Sequence, residues 1–172
     1  MNKGLFLDRD GVINIEQGYV HKPEQFDFQQ GIFEIANWAK DNDYLLIVIT
    51  NQGGIAYGYY SVSMLHKIHK KMLDGFENQG ISLSGIYFCP HHNDISNCLC
   101  RKPKNLLFQK AVAEWDIDCK KSIMVGDRER DLIPAAGLGM STIYLGEDKG
   151  IRCDKRCNSL REMLKYLVSY KT

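Results

Sequence analysis

Short apolar runs that alternate with amphipathic helical periods predict an α/β fold, a Rossmann-like three-layer sandwich around a central, mostly parallel sheet. Two further features support it: the runs lack polar alternation, as strands buried on both faces do, and turn residues punctuate them. Residues 5–7 form the first strand and lead directly into Asp8. A helix follows, with Ile32, Ile35 and Ala39 on one face, and then a strand over 44–49. Leu65, Ile68, Met72 and Phe76 mark the next helix, and Gly80 stops it. A short strand over 85–88 precedes a helix carrying Leu107, Phe108, Ala111 and Trp115, with Pro103 just ahead of it. Strands over 122–125 and 142–145 come next. Leu160, Met163, Leu164 and Leu167 close the chain with a helix. In such a fold, ligands bind beyond the carboxyl ends of the strands.

The 172 residues are expected to form a single domain, 1–172, since they carry no repeat, low-complexity tract or interdomain linker. Twenty-two Lys and Arg against 21 Asp and Glu leave a net charge of +1, which argues against nucleic-acid and membrane partners. The apolar stretch before Asp8 is too short for a secretion signal, and no run reaches the roughly 18 apolar residues of a membrane span. A cytoplasmic, monomeric protein with reduced cysteines is the expectation.

Two strand ends carry acid. Asp8 and Asp10 follow the first strand, and strand alternation would point them the same way if the extended path persists through Arg9, while Gly11 lets the backbone turn. Asp127 and Asp131 follow the strand over 122–125. If those two strands are neighbours, the four carboxylates crowd one volume, at a cost of several kcal/mol unless a cation sits among them. Hard oxygen ligands of this kind suit Mg²⁺. The strand over 44–49 ends in Thr50, Asn51, Gln52, Gly53 and Gly54, a hydroxyl and a Gly-rich turn suited to cradling phosphate. Arg101 and Lys102 supply cationic groups ahead of a helix. Each feature alone is an ordinary turn, cap or surface pair; their joint occurrence at strand ends and helix starts is what points to chemistry.

These residues resemble the haloacid dehalogenase superfamily of phosphohydrolases, whose four motifs match Asp8-x-Asp10, Thr50, Lys102, and Asp127 with Asp131. The resemblance implies that Asp8 attacks phosphorus to form an aspartyl phosphate and that Asp10 serves as acid and base. It further implies that Thr50 and Lys102 hold phosphoryl oxygens. Mg²⁺ would be held by Asp8, Asp127 and the Asp10 backbone carbonyl, with Asp131 behind them. The spacing between motifs leaves no room for a cap domain, so the site is expected to be open.

Residues 89–100 form a separate signature. Cys89, Cys98 and Cys100 with one imidazole, His91 or His92, make a Cys₃His set suited to a closed, structural Zn²⁺ site. Almost nothing apolar holds this loop, so metal binding would order it and thereby place Arg101 and Lys102. Cys119, Cys153 and Cys157 read as core or surface thiols, and His21, His66 and His69 as non-catalytic.

The run Cys-Pro-His to Cys-x-Cys-Arg-Lys-Pro is similar to two capless groups of that superfamily, the heptose 1,7-bisphosphate 7-phosphatases and the histidinol phosphatases, and its spacing favours His91 as ligand. Gly18, Tyr19, Val20 and His21, together with Thr50-Asn51-Gln52 and the Gly-Ile-Ala ending at Ala56, resemble the heptose group. By that resemblance Glu16, Gln17, Gly18, Tyr19, Thr50, Asn51, Gln52, Gly53, Arg101, Lys102 and Arg128 contact a small sugar phosphate, with Arg101 on its distal phosphate. The implied activity is removal of the 7-phosphate in the making of nucleotide-activated heptose for lipopolysaccharide or other surface glycans. Tyr57 departs from the group's usual Arg, Gly53-Gly54 from its Ser-Gly, and the metal loop is as short as in the histidinol enzymes. A histidinol-phosphate phosphatase and a zinc-stabilised binding module without turnover are the competing readings.

Overall fold

In the computed structural model, which describes residues 1–169, the first apolar run becomes β1 (Lys3–Leu7) at the centre of the sheet. β2 (Tyr44–Asn51) pairs on one side of it and β4 (Ile123–Gly126) on the other, both parallel. β3 (Gly85–Cys89), β5 (Ser141–Leu145) and β6 (Lys155–Cys157) complete a six-stranded sheet in the order β3-β2-β1-β4-β5-β6, parallel throughout. The single-domain expectation also covers 170–172, which lie outside the described residues.

The strands' side chains sort by parity into two cores. Leu5, Leu7, Leu46, Val48, Ile123 and Val125 face one side, where α1 (Ile32–Asp41), α2 (Val62–Glu77) and α5 (Leu160–Ser169) pack. Phe6, Ile47, Ile49 and Met124 face the other, against α3 (Leu106–Glu114) and α4 (Glu129–Gly137). With both faces covered, β1, β2 and β4 are built from near-continuous apolar runs, which makes them visible in the sequence. Between β1 and β2 the chain holds a single 3₁₀ turn and α1, and no inserted cap occurs among the described residues. No helix there is long and apolar enough to cross a membrane.

Two elements escaped the sequence reading. α4 carries Pro134 in its interior, which masks a helical pattern, although parallel pairing of β4 and β5 demands a crossover. β6 is a three-residue edge strand, Lys-Arg-Cys, without an apolar run. β2 also runs further than expected, so that Thr50 and Asn51 are its last two residues, in register with Phe88 and Cys89.

The pairing of β1 with β4 is extended at both ends. At the carboxyl end the Asp8 N–H donates to the Val125 carbonyl at 3.0 Å. At the other, the buried Ser122 hydroxyl accepts from the Gly4 N–H at 2.9 Å and donates to the Asp118 carbonyl at 2.7 Å. Ser122→Ala would leave a buried N–H unsatisfied, so it is expected to lower the unfolding free energy by about 1–3 kcal/mol. A urea midpoint equal to that of the unsubstituted protein would show that this clamp adds nothing.

Candidate active site

Because β1 and β4 are neighbours, residues far apart in the chain meet at their carboxyl ends. Carboxylate oxygens of Asp8, Asp127 and Asp131 lie within 4.8 Å of one another, close enough to hold one metal ion between them. Gly11 makes the approach possible: it sits at φ 85°, and a Cβ there would come within 2.4 Å of Asp127 Oδ2. Lys102, only 1% exposed, enters from beneath. Its ammonium lies 2.8 Å from Asp8 Oδ1 and 2.8 Å from Asp131 Oδ1, and it donates to the Ile49 carbonyl at 2.7 Å.

One ammonium does not balance three carboxylates. Burial, the Asp131 charge and a smaller contribution from Asp127 push the Asp8 carboxyl up to about 7 against the opposing pull of Lys102. Burial and Asp131 push Asp127 up to about 6. Desolvated carboxylates that resist ionising together are a donor set fitted to a hard divalent cation.

Asp10 stands apart from this cluster, because the extended path that would align it with Asp8 does not persist through Arg9. β1 has ended by then, and the Arg9 carbonyl accepts from the N–H groups of Ile13 and Asn14 in a tight turn that redirects the next side chain. The Asp10 carboxylate is gripped by Arg9, whose Nη2 lies 2.7 and 2.8 Å from its two oxygens, and by the Asn14 and Gln52 amides at 3.1 and 3.0 Å. Its assignment as a backbone-carbonyl ligand does not depend on where this side chain lies.

A cavity of about 540 Å³ opens over these groups. Asp8, Asp10, Thr50, Asn51, Gln52, Gly53, Asp127 and Asp131 line it, as do Glu16, Gly18, Tyr19, Arg101 and Arg128. Gln17 is not among its lining residues, and Lys102 underlies it through Asp8 and Asp131. Arg9, Tyr60 and Arg130 also line it, and the sequence reading passed over them. Only Arg9 had a visible signal, its place between the two aspartates. Asn51 also braces the loop before α3, since its side chain accepts from the Lys102 N–H at 3.0 Å and donates to the Lys102 carbonyl at 3.1 Å.

The cysteine loop is folded as a ligand cage. Cys89 Sγ lies 3.6 Å from that of Cys98 and 3.1 Å from that of Cys100, and His91 Nδ1 is 3.3 Å from Cys100 Sγ. Tetrahedral zinc with bonds of about 2.3 Å to sulfur would space its sulfurs about 3.8 Å apart, so the cage needs only slight expansion. His92, the alternative ligand, is committed elsewhere, 2.7 Å from the Tyr57 hydroxyl. Arg101 folds back on the loop and donates to the His91 carbonyl at 2.9 Å. Neither Cys119, Cys153 and Cys157 nor His21, His66 and His69 belong to this cage or line the cavity.

The cage generates a test. Purified protein is expected to carry close to one equivalent of zinc, and Cys98→Ser to lose it and melt about 5 °C lower or more. Metal-free protein with reduced thiols and an unchanged melting point for the variant would contradict the cage.

Comparison with known proteins finds relatives along nearly the whole chain. A family described as HAD-hydrolase-like matches residues 99–161. The D-glycero-alpha-D-manno-heptose-1,7-bisphosphate 7-phosphatase of Campylobacter jejuni is 42% identical over 166 residues, which is 95% of this chain and 95% of that protein. A counterpart from Helicobacter pylori, named for the beta anomer, is 47% identical over 138 residues, 80% of this chain and 78% of that one. The crystal structure of D,D-heptose 1,7-bisphosphate phosphatase from B. bronchiseptica, complexed with magnesium and phosphate, matches with a TM-score of 0.85 at 28% identity, covering 97% of this chain and 98% of that one. This chain therefore belongs to the heptose-1,7-bisphosphate 7-phosphatase family, among the haloacid-dehalogenase-like hydrolases.

Proposed function

We propose that this protein removes the 7-phosphate of D-glycero-D-manno-heptose 1,7-bisphosphate through an aspartyl-phosphate intermediate, as a step towards activated heptose for surface glycans. The observation that carries the reading is the Asp8 carboxylate, held at the cavity floor 2.8 Å from the Lys102 ammonium and beside Asp127 and Asp131. Lys102 and the Arg9 N–H both hold Asp8 Oδ1, the latter at 2.8 Å, which leaves Oδ2 to face phosphorus.

In the first step Asp8 bonds to phosphorus and the bond to the sugar oxygen breaks. Asp10 gives that oxygen its proton. Asp10 then takes a proton from water, whose oxygen attacks phosphorus and releases phosphate, restoring Asp8. Thr50 and Lys102 hold phosphoryl oxygens through both steps. Mg²⁺ held by Asp8, Asp127 and the Asp10 carbonyl, with Asp131 behind, would supply positive charge against the anionic phosphoryl group. Zn²⁺ in the cage of Cys89, His91, Cys98 and Cys100 would have a structural role, stiffening the loop that delivers Arg101 and Lys102. Arg101 and Arg128, with Glu16, Gly18 and Tyr19, form the rim against which the sugar and its second phosphate would rest.

The family names divide between alpha and beta anomers, so the decisive assay offers both, with histidinol phosphate beside them. Magnesium-dependent phosphate release should be fastest from a heptose bisphosphate, and Asp8→Asn should lower kcat by roughly 10⁴-fold or more. Faster turnover of histidinol phosphate would overturn the substrate, and a fully active Asp8→Asn protein would overturn the nucleophile.

A further inference from the structure

Tyr60 has no part in the steps above, yet its buried hydroxyl is built into the cavity wall. It stands immediately before Ser61, whose side chain caps α2 by accepting from the Met64 N–H at 3.2 Å. Its ring lies against the backbone of Gly54, where an added Cβ would fall 2.4 Å from Tyr60 Cε1. Helix start and glycine turn together fix where the hydroxyl points.

That hydroxyl donates to Oε1 of Gln52 at 2.7 Å. A side-chain amide has an accepting and a donating end, so engaging Oε1 turns Nε2 the other way. Nε2 donates to Asp10 Oδ2 at 3.0 Å and to Thr50 Oγ1 at 2.8 Å. Gln52 is 2% exposed and Tyr60 8%, so solvent is a poor substitute donor for Oε1. Burial pushes the Tyr60 hydroxyl up to about 12, against the lowering effect of Arg9, which keeps the proton on it at neutral pH.

We propose that Tyr60 is a positioning residue for the phosphatase reaction: through Gln52 it sets the Asp10 carboxylate and the Thr50 hydroxyl relative to each other. The inference rests on the acid and base reading of Asp10. Proton delivery to a leaving oxygen requires hydrogen-bond reach in the reacting complex, while the phosphoryl group must stay on Thr50. A single amide spanning both residues fixes that separation, and the Tyr60 hydroxyl holds the amide. Removing it leaves Oε1 buried without a donor and frees the amide to turn.

The test is a cycle of Tyr60→Phe, Gln52→Leu and the double variant, with kcat/KM measured on the heptose bisphosphate and on nitrophenyl phosphate. The aryl ester is the control because nitrophenolate departs as a stable anion and needs no proton. Tyr60→Phe, which keeps the ring, should lower kcat/KM on the sugar ester about tenfold and change it on the aryl ester by less than about threefold. The double variant should be no worse than Gln52→Leu alone. Unchanged sugar turnover in Tyr60→Phe, equal losses on the two esters, or losses that multiply in the double variant would each overturn the proposal. A wild-type protein that ignores the heptose compound but hydrolyses histidinol phosphate would overturn the substrate reading instead, and the same cycle is then read on that alkyl ester.

Discussion

The site depends on a lysine ammonium buried beneath two carboxylates, one just past the end of β1 and one in the first turn of α4. Removing an ammonium from water costs several kcal/mol unless it is paired, and Lys102 is paired twice, with Asp8 and with Asp131. Breaking either partner would leave an uncompensated buried charge, so the arrangement ties the loop before α3 to the end of β1 and the first turn of α4. One ammonium leaves the three carboxylates two charges short, and burial together with the Asp131 charge holds Asp8 and Asp127 above the usual carboxylate range. A site deficient in positive charge, facing a cavity rimmed by arginines, is suited to a divalent cation and a phosphate ester together.

The two metals of the proposal would have separate roles. One belongs to the oxygen cluster at the floor, next to the reacting atoms. The other belongs to a loop that has little apolar material of its own and must still deliver Lys102 accurately. Asn51, at the end of β2, brackets the Lys102 peptide with both ends of its amide, so the loop is held from the sheet side as well. The sheet and the cysteine cage thus grip the same residue from two directions.

Much of this could be read in the sequence because it rests on composition and adjacency. β1, β2 and β4 are buried on both faces, so their apolar runs admit one reading, and the acids stand directly after them. The cysteine cage declared itself by clustered soft ligands in a polar stretch. What stayed hidden was set by backbone direction or by tertiary contact. Asp10 diverges from Asp8 because the chain turns at Arg9, so the extended path on which their alignment depended is broken there. Tyr60 and Arg130 reach the cavity only because α2 and α4 begin beside it, and α4 itself was masked by Pro134. Asn51 and Arg101 suggested substrate contacts by resemblance, and the fold gives each a structural bond in addition.

On the proposed mechanism, one divalent cation draws Asp8 and Asp127 together at the ends of adjacent strands. Crystals soaked in manganese and measured for anomalous scattering test this most directly. A peak within bonding distance of both side chains is the expected result. Full occupancy at some other place, with these two carboxylates left unliganded, would contradict it.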